Sequence, residues 1–301
     1  MSTLLAAVNA QTFIDAVGLG AVYALMAVGI GLVFGVLRLV NFAYGQLVMA
    51  GAYTLALTSD WPLAAGIAMC FTVVIALSFG MERLVFRPLR TQSPAVMLVA
   101  TFAIAFLLQS VALLKFGALG KPASSVASLN QAISVAGVDV RKVTLVAIAV
   151  AALALGLLAL LLKRTSIGLH MRAAAIDFQT ARLLGVRANT VIAFAVLLSG
   201  LLAAAVAVIL TVQTPLVTSD FALKETIIVL VGVVVGGIDR LGSATLGGFA
   251  IGFAIGFLGG ALPTDMSVYL PSVVFALVIL VLLLRPAGLF TRGRASVVDR
   301  V

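Results

Sequence analysis

Long apolar runs separated by short polar stretches fill most of the chain. The clearest run, 143–162, carries no charged residue and has Arg141 and Lys142 before it and Lys163 and Arg164 after it. About 20 apolar residues cross the hydrocarbon core of a bilayer as one α-helix, so this run predicts a membrane span. Comparable runs predict further spans at 13–36, 62–80, 94–116, 191–212, 246–262 and 269–284.

Two apolar runs, 47–57 and 226–238, are too short for an ordinary crossing. Polar residues and glycine interrupt the chain beside each of them, at 37–47 and 236–242. Such interruptions are tolerated at membrane depth only where the freed backbone groups face protein or a water-filled cavity. We therefore predict an all-α polytopic membrane protein with eight to nine transmembrane or broken helices; whether the short segments cross or re-enter stays open.

Three polar stretches stand out between the runs. The segment 163–190 carries six charged side chains and must lie in water, and 81–93 predicts a second loop on the same side, with Pro88 ending any helix there. The stretch 117–142 lies on the opposite side and shows β-like alternation over 132–138.

Four glycines recur at every fourth position of the run 246–262, at 248, 252, 256 and 260. They place positions without a side chain on one stripe of a helix, which is typical of a close helix-packing face. A partner subunit could use this stripe, but packing within the same chain needs no further assumption and is the interpretation we favour.

Composition agrees with this pattern. Of 301 residues, 63% are hydrophobic and 10% charged, with a mean hydropathy of +1.27, which leaves no room for a separate soluble domain. We predict one membrane domain over 1–301. The net charge of +9 indicates topology rather than a nucleic-acid partner, because basic residues concentrate in cytoplasmic loops.

The basic residues predict the orientation. With 163–190 in the cytoplasm, that side holds fourteen of the 19 lysines and arginines and the other side holds five. This bias predicts an external N-terminus and a cytoplasmic C-terminus.

Several kinds of chemistry lack the residues they need. There is no G-x-x-x-x-G-K-[ST] phosphate-binding loop, so the chain has no such ATPase site of its own. One histidine and one cysteine exclude a multi-histidine metal site and a disulfide framework. Clustered catalytic carboxylates are also missing, so we predict that the chain is not an enzyme.

The segment 171–184 contains neither glycine nor proline, and Gly185 follows it as a C-cap. This pattern predicts one short helix with Ala174, Asp177, Ala181 and Leu184 on one side. A helix held between two spans is suited to act as a lever for another protein, and an ordinary solvated loop helix is the alternative.

The same segment carries a resemblance. Residues 172–186, RAAAIDFQTARLLGV, resemble the cytoplasmic coupling segment of the high-affinity branched-chain amino acid ABC permeases, the LivH/LivM family. Residues 37–53 (LRLVNFAYGQLVMAGAY), 82–90 (ERLVFRPLR) and 284–290 (LRPAGLF) match the same family. The resemblance runs almost end to end, and the length is closer to the LivH member.

The resemblance implies a permease subunit of an ATP-driven importer for branched-chain or other hydrophobic amino acids, in a bacterial inner membrane. It further implies a second, LivM-like permease, two ABC ATPase subunits that use the ATP, and a periplasmic substrate-binding protein. Membrane lipid surrounds the chain, and we expect it to bind no cofactor and no nucleic acid.

The resemblance also points to site residues. It implies ATPase coupling through Arg172, Ala174, Ala175, Asp177, Ala181, Arg182 and Gly185. For the substrate pathway we favour the polar residues and glycine near the two breaks, because broken helices are the best sequence indication of a transport path. They are Asn41, Tyr44, Gln46, Gly237, Ser243 and Thr245.

Alternatives remain at this stage. Related ABC permeases transport amides or urea, a stand-alone secondary carrier or channel would need no ATPase, and a membrane-embedded enzyme is disfavoured by the missing catalytic residues. The pathway residues have their own alternative, which is that they only satisfy exposed backbone groups.

Overall fold

The computed structural model describes residues 2–89, 92–123, 130–135, 138–237, 240–261, 268–285 and 288–289. Within these ranges, six helices are long and apolar enough to cross a membrane. Three shorter helices of 14 or 15 residues accompany them. The protein is therefore an all-α polytopic membrane protein, as predicted.

The helices have the following bounds: α1 Ser2–Leu37, α2 Tyr44–Leu57, α3 Leu63–Met81, α4 Arg87–Leu89, α5 Pro94–Phe116, α6 Lys142–Arg164, α7 Ser166–Ile176, α8 Phe178–Leu183, α9 Ala188–Gln213, α10 Leu223–Gly236, α11 Leu241–Ala261 and α12 Leu270–Leu284. A π-helical turn, Glu82–Phe86, joins α3 to α4. The strands are β1 Lys121–Pro122, β2 Ala132–Val135, β3 Val138–Arg141 and β4 Leu216–Val217.

The ends of the predicted spans agree well with the structure where local signals fix them. The helix α5 covers the predicted range 94–116 and begins after Ser93, whose hydroxyl oxygen accepts a hydrogen bond from the Val96 N–H. It ends at Gly117, which has a φ of 78°. The run predicted at 246–262 begins five positions earlier, at Leu241, because α11 includes the polar residues after the second break.

Both predicted breaks are present. The helix α1 ends at Leu37 and α2 begins at Tyr44, while α10 ends at Gly236 and α11 begins at Leu241. At 1.5 Å per residue, the 14 residues of α2 and of α10 each span about 21 Å, less than the roughly 30 Å of a hydrocarbon core. These two are the short, broken helices that the sequence predicts.

The prediction of a loop at 81–93 is wrong for residues 81–89. The chain stays helical through the π-turn to Leu89 and includes Pro88 in α4. A proline ring clashes with the carbonyl four residues earlier in an α-helix. The wider π-helical turn just before it, in which the Arg87 N–H reaches the Glu82 carbonyl, gives the ring room.

The first helix lies at the centre of the molecule. In its apolar window 83% of the residues are buried inside the protein, against 17 to 22% in α3, α5 and α6. The helices α6, α9, α10 and α11 all pack on α1. The spans with few buried residues therefore form the periphery, where they face lipid or another subunit.

The glycine stripe of α11 packs on this central helix, within the same chain. A Cβ added at Gly252 would lie 2.8 Å from the Gly20 Cα and 2.8 Å from the Leu19 carbonyl oxygen, both in α1. One added at Gly248 would lie 2.8 Å from the Tyr23 carbonyl oxygen. Only glycine permits backbones to approach this closely, which confirms the packing interpretation.

Two small sheets lie at one end of the bundle. The strands β2 and β3 form an antiparallel hairpin in the region predicted to alternate, and β1 pairs with β4, with Lys121 opposite Val217. We call this end the hairpin side. The helices α7 and α8 lie at the opposite end, which we call the loop side; its placement in the cytoplasm stays a prediction.

The Gly252→Leu variant tests the central packing. A leucine there meets backbone atoms of α1, which cannot move aside as a flexible side chain can. We expect the apparent melting temperature of the detergent-solubilised protein to fall by about 5 °C or more. The matched control is Gly156→Leu on α6, where an added Cβ meets nothing within 4 Å; equal melting of both variants would contradict the role of the stripe.

Candidate functional site

The segment 163–190 forms two short helices with a break between them. Thr165 caps α7, its hydroxyl oxygen accepting from the Gly168 N–H at 3.0 Å. Asp177 then has extended backbone angles, φ −147° and ψ 106°, and α8 follows it. The prediction of one helix over 171–184 is therefore wrong.

Asp177 causes this break. Its Oδ1 accepts from the N–H groups of Gln179 and Thr180 at 3.0 and 3.1 Å, and its Oδ2 accepts from the Thr180 hydroxyl at 2.6 Å. An aspartate side chain that satisfies the free N–H groups of a following turn starts a new helix, in competition with continuing the old one. The predicted common face does not form: Ala174 and Ala181 are buried, whereas Leu184 is exposed.

Gly185 ends α8 as predicted. Its φ is 90°, a left-handed value that glycine adopts without steric penalty. The N–H of Val186 donates to the Ala181 carbonyl oxygen at 3.1 Å, and the N–H of Gly185 donates to the Arg182 carbonyl oxygen at 3.1 Å. These bonds satisfy carbonyl groups at the helix end and fix where the chain turns towards α9.

Three large apolar side chains project from this segment into solvent. Ile176, Leu183 and Leu184 are 84%, 88% and 81% exposed; we call them the apolar tip. Ile176 ends α7, and Leu183 and Leu184 are adjacent at the end of α8. Exposed large apolar side chains on one segment are suited to contact with another protein. Of the predicted coupling residues, Arg172 and Arg182 are also exposed.

An arginine at the first break joins this segment to the central helix. The Arg38 guanidinium donates from Nη2 to the carbonyl oxygen of Ala175 at 2.6 Å, so the end of α1 is attached to the end of α7. Arg38 has a φ of 54°, a left-handed conformation that costs a non-glycine residue about 1–2 kcal/mol. Sequence analysis missed this contact, because nothing local pairs positions so distant in the chain.

The polar residues of the first break are buried inside the subunit. Asn41, Tyr44 and Gln46 are 1%, 0% and 2% exposed. The Asn41 Oδ1 accepts from the Ala43 N–H at 3.1 Å. Three of their polar atoms have no hydrogen-bond partner among the described residues: the Asn41 Nδ2, the Tyr44 hydroxyl and the Gln46 Oε1.

A small cavity adjoins Asn41. It has a volume of about 20 Å³ and lies between α1, the first break and the start of α10, with Ile30 and Thr226 in its wall. This volume admits about one water molecule. The first break is thus closed to anything as large as an amino acid in this conformation.

The second set of predicted pathway residues lies elsewhere. Gly237 has a φ of 105° and ends α10, while Ser243 is buried and the Thr245 hydroxyl donates to the Leu241 carbonyl at 2.7 Å. The first set packs near Thr226 in the first turn of α10 and the second near the end of that helix, about 15 Å further along it. The structure does not bring the two sets together.

The hairpin side has a polar pocket that sequence analysis did not find. Asp15 of α1 accepts a hydrogen bond from the Thr144 hydroxyl at 2.9 Å and lies 3.8 Å from the Arg141 guanidinium. These residues line a pocket of about 480 Å³. The pair joins two segments far apart in sequence, so no local pattern indicates it.

The described residues contain no candidate metal site, because no three of their His, Cys, Asp or Glu side chains come together. The one cysteine, Cys70, is buried and free. The candidate site of this chain is therefore the loop-side segment together with the first break to which Arg38 connects it.

Known proteins resemble the chain over nearly its whole length. Residues 12–283 match the family model described as branched-chain amino acid transport system / permease component. The chain is 30% identical over 296 residues to the high-affinity branched-chain amino acid transport system permease protein BraD of Pseudomonas aeruginosa, covering 94% of this chain and 95% of that protein.

A second relative and one solved structure are more distant. The permease protein LivH of Escherichia coli is 27% identical over 299 residues, covering 94% and 95% of the two chains. PsaBC from Streptococcus pneumoniae in complex with Fab aligns with a TM-score of 0.47 at 13% identity, over 89% of this chain and 90% of that one, a likeness too weak to assign a shared fold.

The Asp177→Ala variant tests the helix break. The hydrogen bonds from the Thr180 hydroxyl and N–H, then that from the Gln179 N–H, lower the pKa of Asp177 below its usual value. Removing the carboxylate should therefore increase hydrogen exchange at the amides of Gln179 and Thr180, measured by mass spectrometry of the intact protein in detergent. The control is Asp177→Asn, which retains one oxygen acceptor and should keep most of the protection.

The pH dependence of the same protection has a defined sign. Because the folded state lowers this pKa, the stabilisation is present above the ordinary aspartate value of about 4 and is lost as the pH falls through the lowered pKa. Protection that does not change in Asp177→Ala would show that the break does not depend on this side chain.

Proposed function

Because this chain belongs to the family of branched-chain amino acid transport permease components, we propose that it is the membrane permease subunit of an ATP-driven importer for branched-chain or other hydrophobic amino acids. The chain is a multi-pass protein of this family and is located in the bacterial inner membrane. The proposed partners are a second permease subunit, two ABC ATPase subunits and a periplasmic substrate-binding protein.

The observation that carries the coupling role is the apolar tip at Ile176, Leu183 and Leu184. Its side chains are more than 80% exposed although the segment is held by caps at Thr165, Asp177 and Gly185. Exposed apolar side chains on a segment with capped helices support contact with a cytoplasmic ATPase subunit. The chain lacks a P-loop of its own, so the partner subunits would bind and hydrolyse the ATP, and this chain would bind no cofactor.

The coupling segment is joined directly to the membrane-spanning helix α1. A displacement of α7 and α8 acts on the Ala175 carbonyl, which holds Arg38. Arg38 begins the break that contains Asn41, and the break separates α1 from α2. We infer that the ATPase subunits open and close the first break through this contact.

The pathway is proposed to include Asn41, Tyr44 and Gln46. Their unpartnered polar atoms destabilise the closed form, because a buried polar atom without a partner costs about 1–3 kcal/mol. The chain keeps these polar groups in spite of that cost. This supports a role for them in another conformation, in which they contact substrate or water. We propose that the substrate pathway continues past a second group of residues at the other end of α10: Gly237, Ser243 and Thr245.

The alternatives differ in what they require. Transport of amides or urea would use the same coupling segment with another binding protein, so the ligand of that protein decides between them. A stand-alone carrier or channel would leave the apolar tip without a partner, so we disfavour it.

The Leu183→Asp/Leu184→Asp variant tests the coupling role. Both side chains are exposed, so the change removes no internal packing, and a charge should weaken an apolar contact with the ATPase subunit. We expect ATP-driven uptake by the reconstituted transporter, with all its subunits, to fall at least about tenfold, together with loss of the ATPase on purification.

The matched control is Leu119→Asp, a leucine that is 90% exposed on the hairpin side. This variant should retain uptake and the ATPase subunits. Normal uptake by the double variant would remove the coupling role from α8.

The Tyr44→Phe variant tests the pathway. It deletes only a hydroxyl group that has no partner among the described residues, so the folded protein should be no less stable. Uptake should fall about three- to tenfold if the hydroxyl bonds substrate or water during transport. The control is Tyr53→Phe, which deletes another unpartnered hydroxyl on the same helix. Equal uptake by both variants and the wild type would favour a merely structural role for Tyr44.

A further inference from the structure

A large basic pocket opens on the loop side, beside the coupling segment. It has a volume of about 890 Å³, within the range of ligand sites in proteins. Four arginines line it, and we call it the arginine pocket: Arg38, Arg87, Arg182 and Arg187. They come from four separate parts of the chain, so the fold assembles the cluster.

The depth of the pocket follows from the helices that form its floor. Val36 lies one residue before the end of α1, Met97 lies in the first turn of α5, and Ile192 lies in the second turn of α9. All three helices are long enough to span the membrane. Membrane spans commonly end near the boundary between the hydrocarbon core and the headgroups, so we infer that the pocket lies near the lipid headgroups.

The charged side chains in the wall of the pocket are arginines. Among the described residues that line it, none is acidic. The N-terminal ends of α5 and α9 add partial positive charge through their helix dipoles. Four guanidinium groups around one cavity repel one another, and an anion between them would relieve that repulsion.

Phosphate fits this arrangement best. Guanidinium groups bind phosphate oxygens in paired, planar hydrogen bonds, and basic pockets between membrane helices on the cytoplasmic side are suited to phosphate-bearing headgroups. The apolar side chains of Val36, Met97 and Ile192 offer a surface for the adjoining glycerol and first methylene groups. A protein carboxylate carries no adjoining acyl chain that would cover these apolar side chains.

The coupling helix presents a different surface to a protein partner. Phe178 and Arg182, one turn apart on α8, line the pocket. Leu183 and Leu184 of the apolar tip do not line it and are exposed. One surface of α8 therefore faces the arginine pocket, and the apolar tip lies outside it.

We propose that the arginine pocket binds the phosphate headgroup of an anionic membrane lipid, of the phosphatidylglycerol or cardiolipin type. The headgroup bridges the ends of α1, α5 and α9 to α8 and so holds the coupling segment against the membrane. This goes beyond the proposed transport function and does not rest on it.

Native mass spectrometry of the full-length protein tests the proposal. The protein is taken from detergent micelles that contain equal amounts of phosphatidylglycerol, cardiolipin and phosphatidylcholine, and the retained lipid is measured. We expect retention of the anionic lipids over phosphatidylcholine. The Arg87→Gln/Arg187→Gln variant should bind them about fivefold more weakly for each arginine removed.

The matched control is Arg83→Gln/Arg164→Gln, which removes two exposed arginines of the loop side that do not line the pocket. It should retain lipid as the wild type does. The wild-type comparison of lipid classes needs no variant, so it stays informative if a variant fails to fold, and neither measurement depends on transport.

Three results would overturn the proposal. Equal retention of phosphatidylcholine and the anionic lipids would show that the pocket is not selective for charge, and equal losses in both double variants would show general attraction to the surface. Displacement of the lipid by millimolar inorganic phosphate would identify a soluble anion as the occupant, and displacement by added ATPase subunits would assign the pocket to a protein interface.

Discussion

The close approach of α11 to α1 is the contact on which the rest of the structure depends. Glycines at every fourth position of α11 bring its backbone within van der Waals distance of α1, where lipid provides no hydrophobic force to push helices together and dispersion contacts must do so. With α1 fixed at the centre, α6, α9 and α10 pack around it. Both breaks in the bundle are then positioned by these two helices, since the first follows α1 and the second precedes α11.

Sequence analysis predicted what the membrane and local signals determine. The thickness of the hydrocarbon core sets the length of an apolar run, and Ser93 and Gly117 set the ends of α5, so that span was predicted at its observed bounds. The two breaks were predicted from short apolar runs beside polar residues, and the glycine stripe was predicted from its spacing. The family resemblance agreed with the relatives found for nearly the whole chain.

Features that depend on distant pairing or on competition between hydrogen bonds could not be predicted in this way. Asp177 suits a helix interior poorly and a helix start well, but only the folded chain shows that the cap is formed. Pro88 signals a helix end, yet a π-helical turn accommodates it. The contacts of Arg38 with Ala175 and of Asp15 with Thr144 join segments far apart in the chain, and no periodicity records them.

The left-handed backbone at Arg38 has a consequence for the mechanics of the first break. The conformation costs about 1–2 kcal/mol, and a hydrogen bond from a charged donor contributes about 1.5–3 kcal/mol. The two terms are of similar size, so the hydrogen bond to the Ala175 carbonyl offsets much of the cost of the left-handed backbone. The backbone geometry at the start of the first break is therefore linked to the position of α7, since movement of the Ala175 carbonyl away from Arg38 removes this compensation.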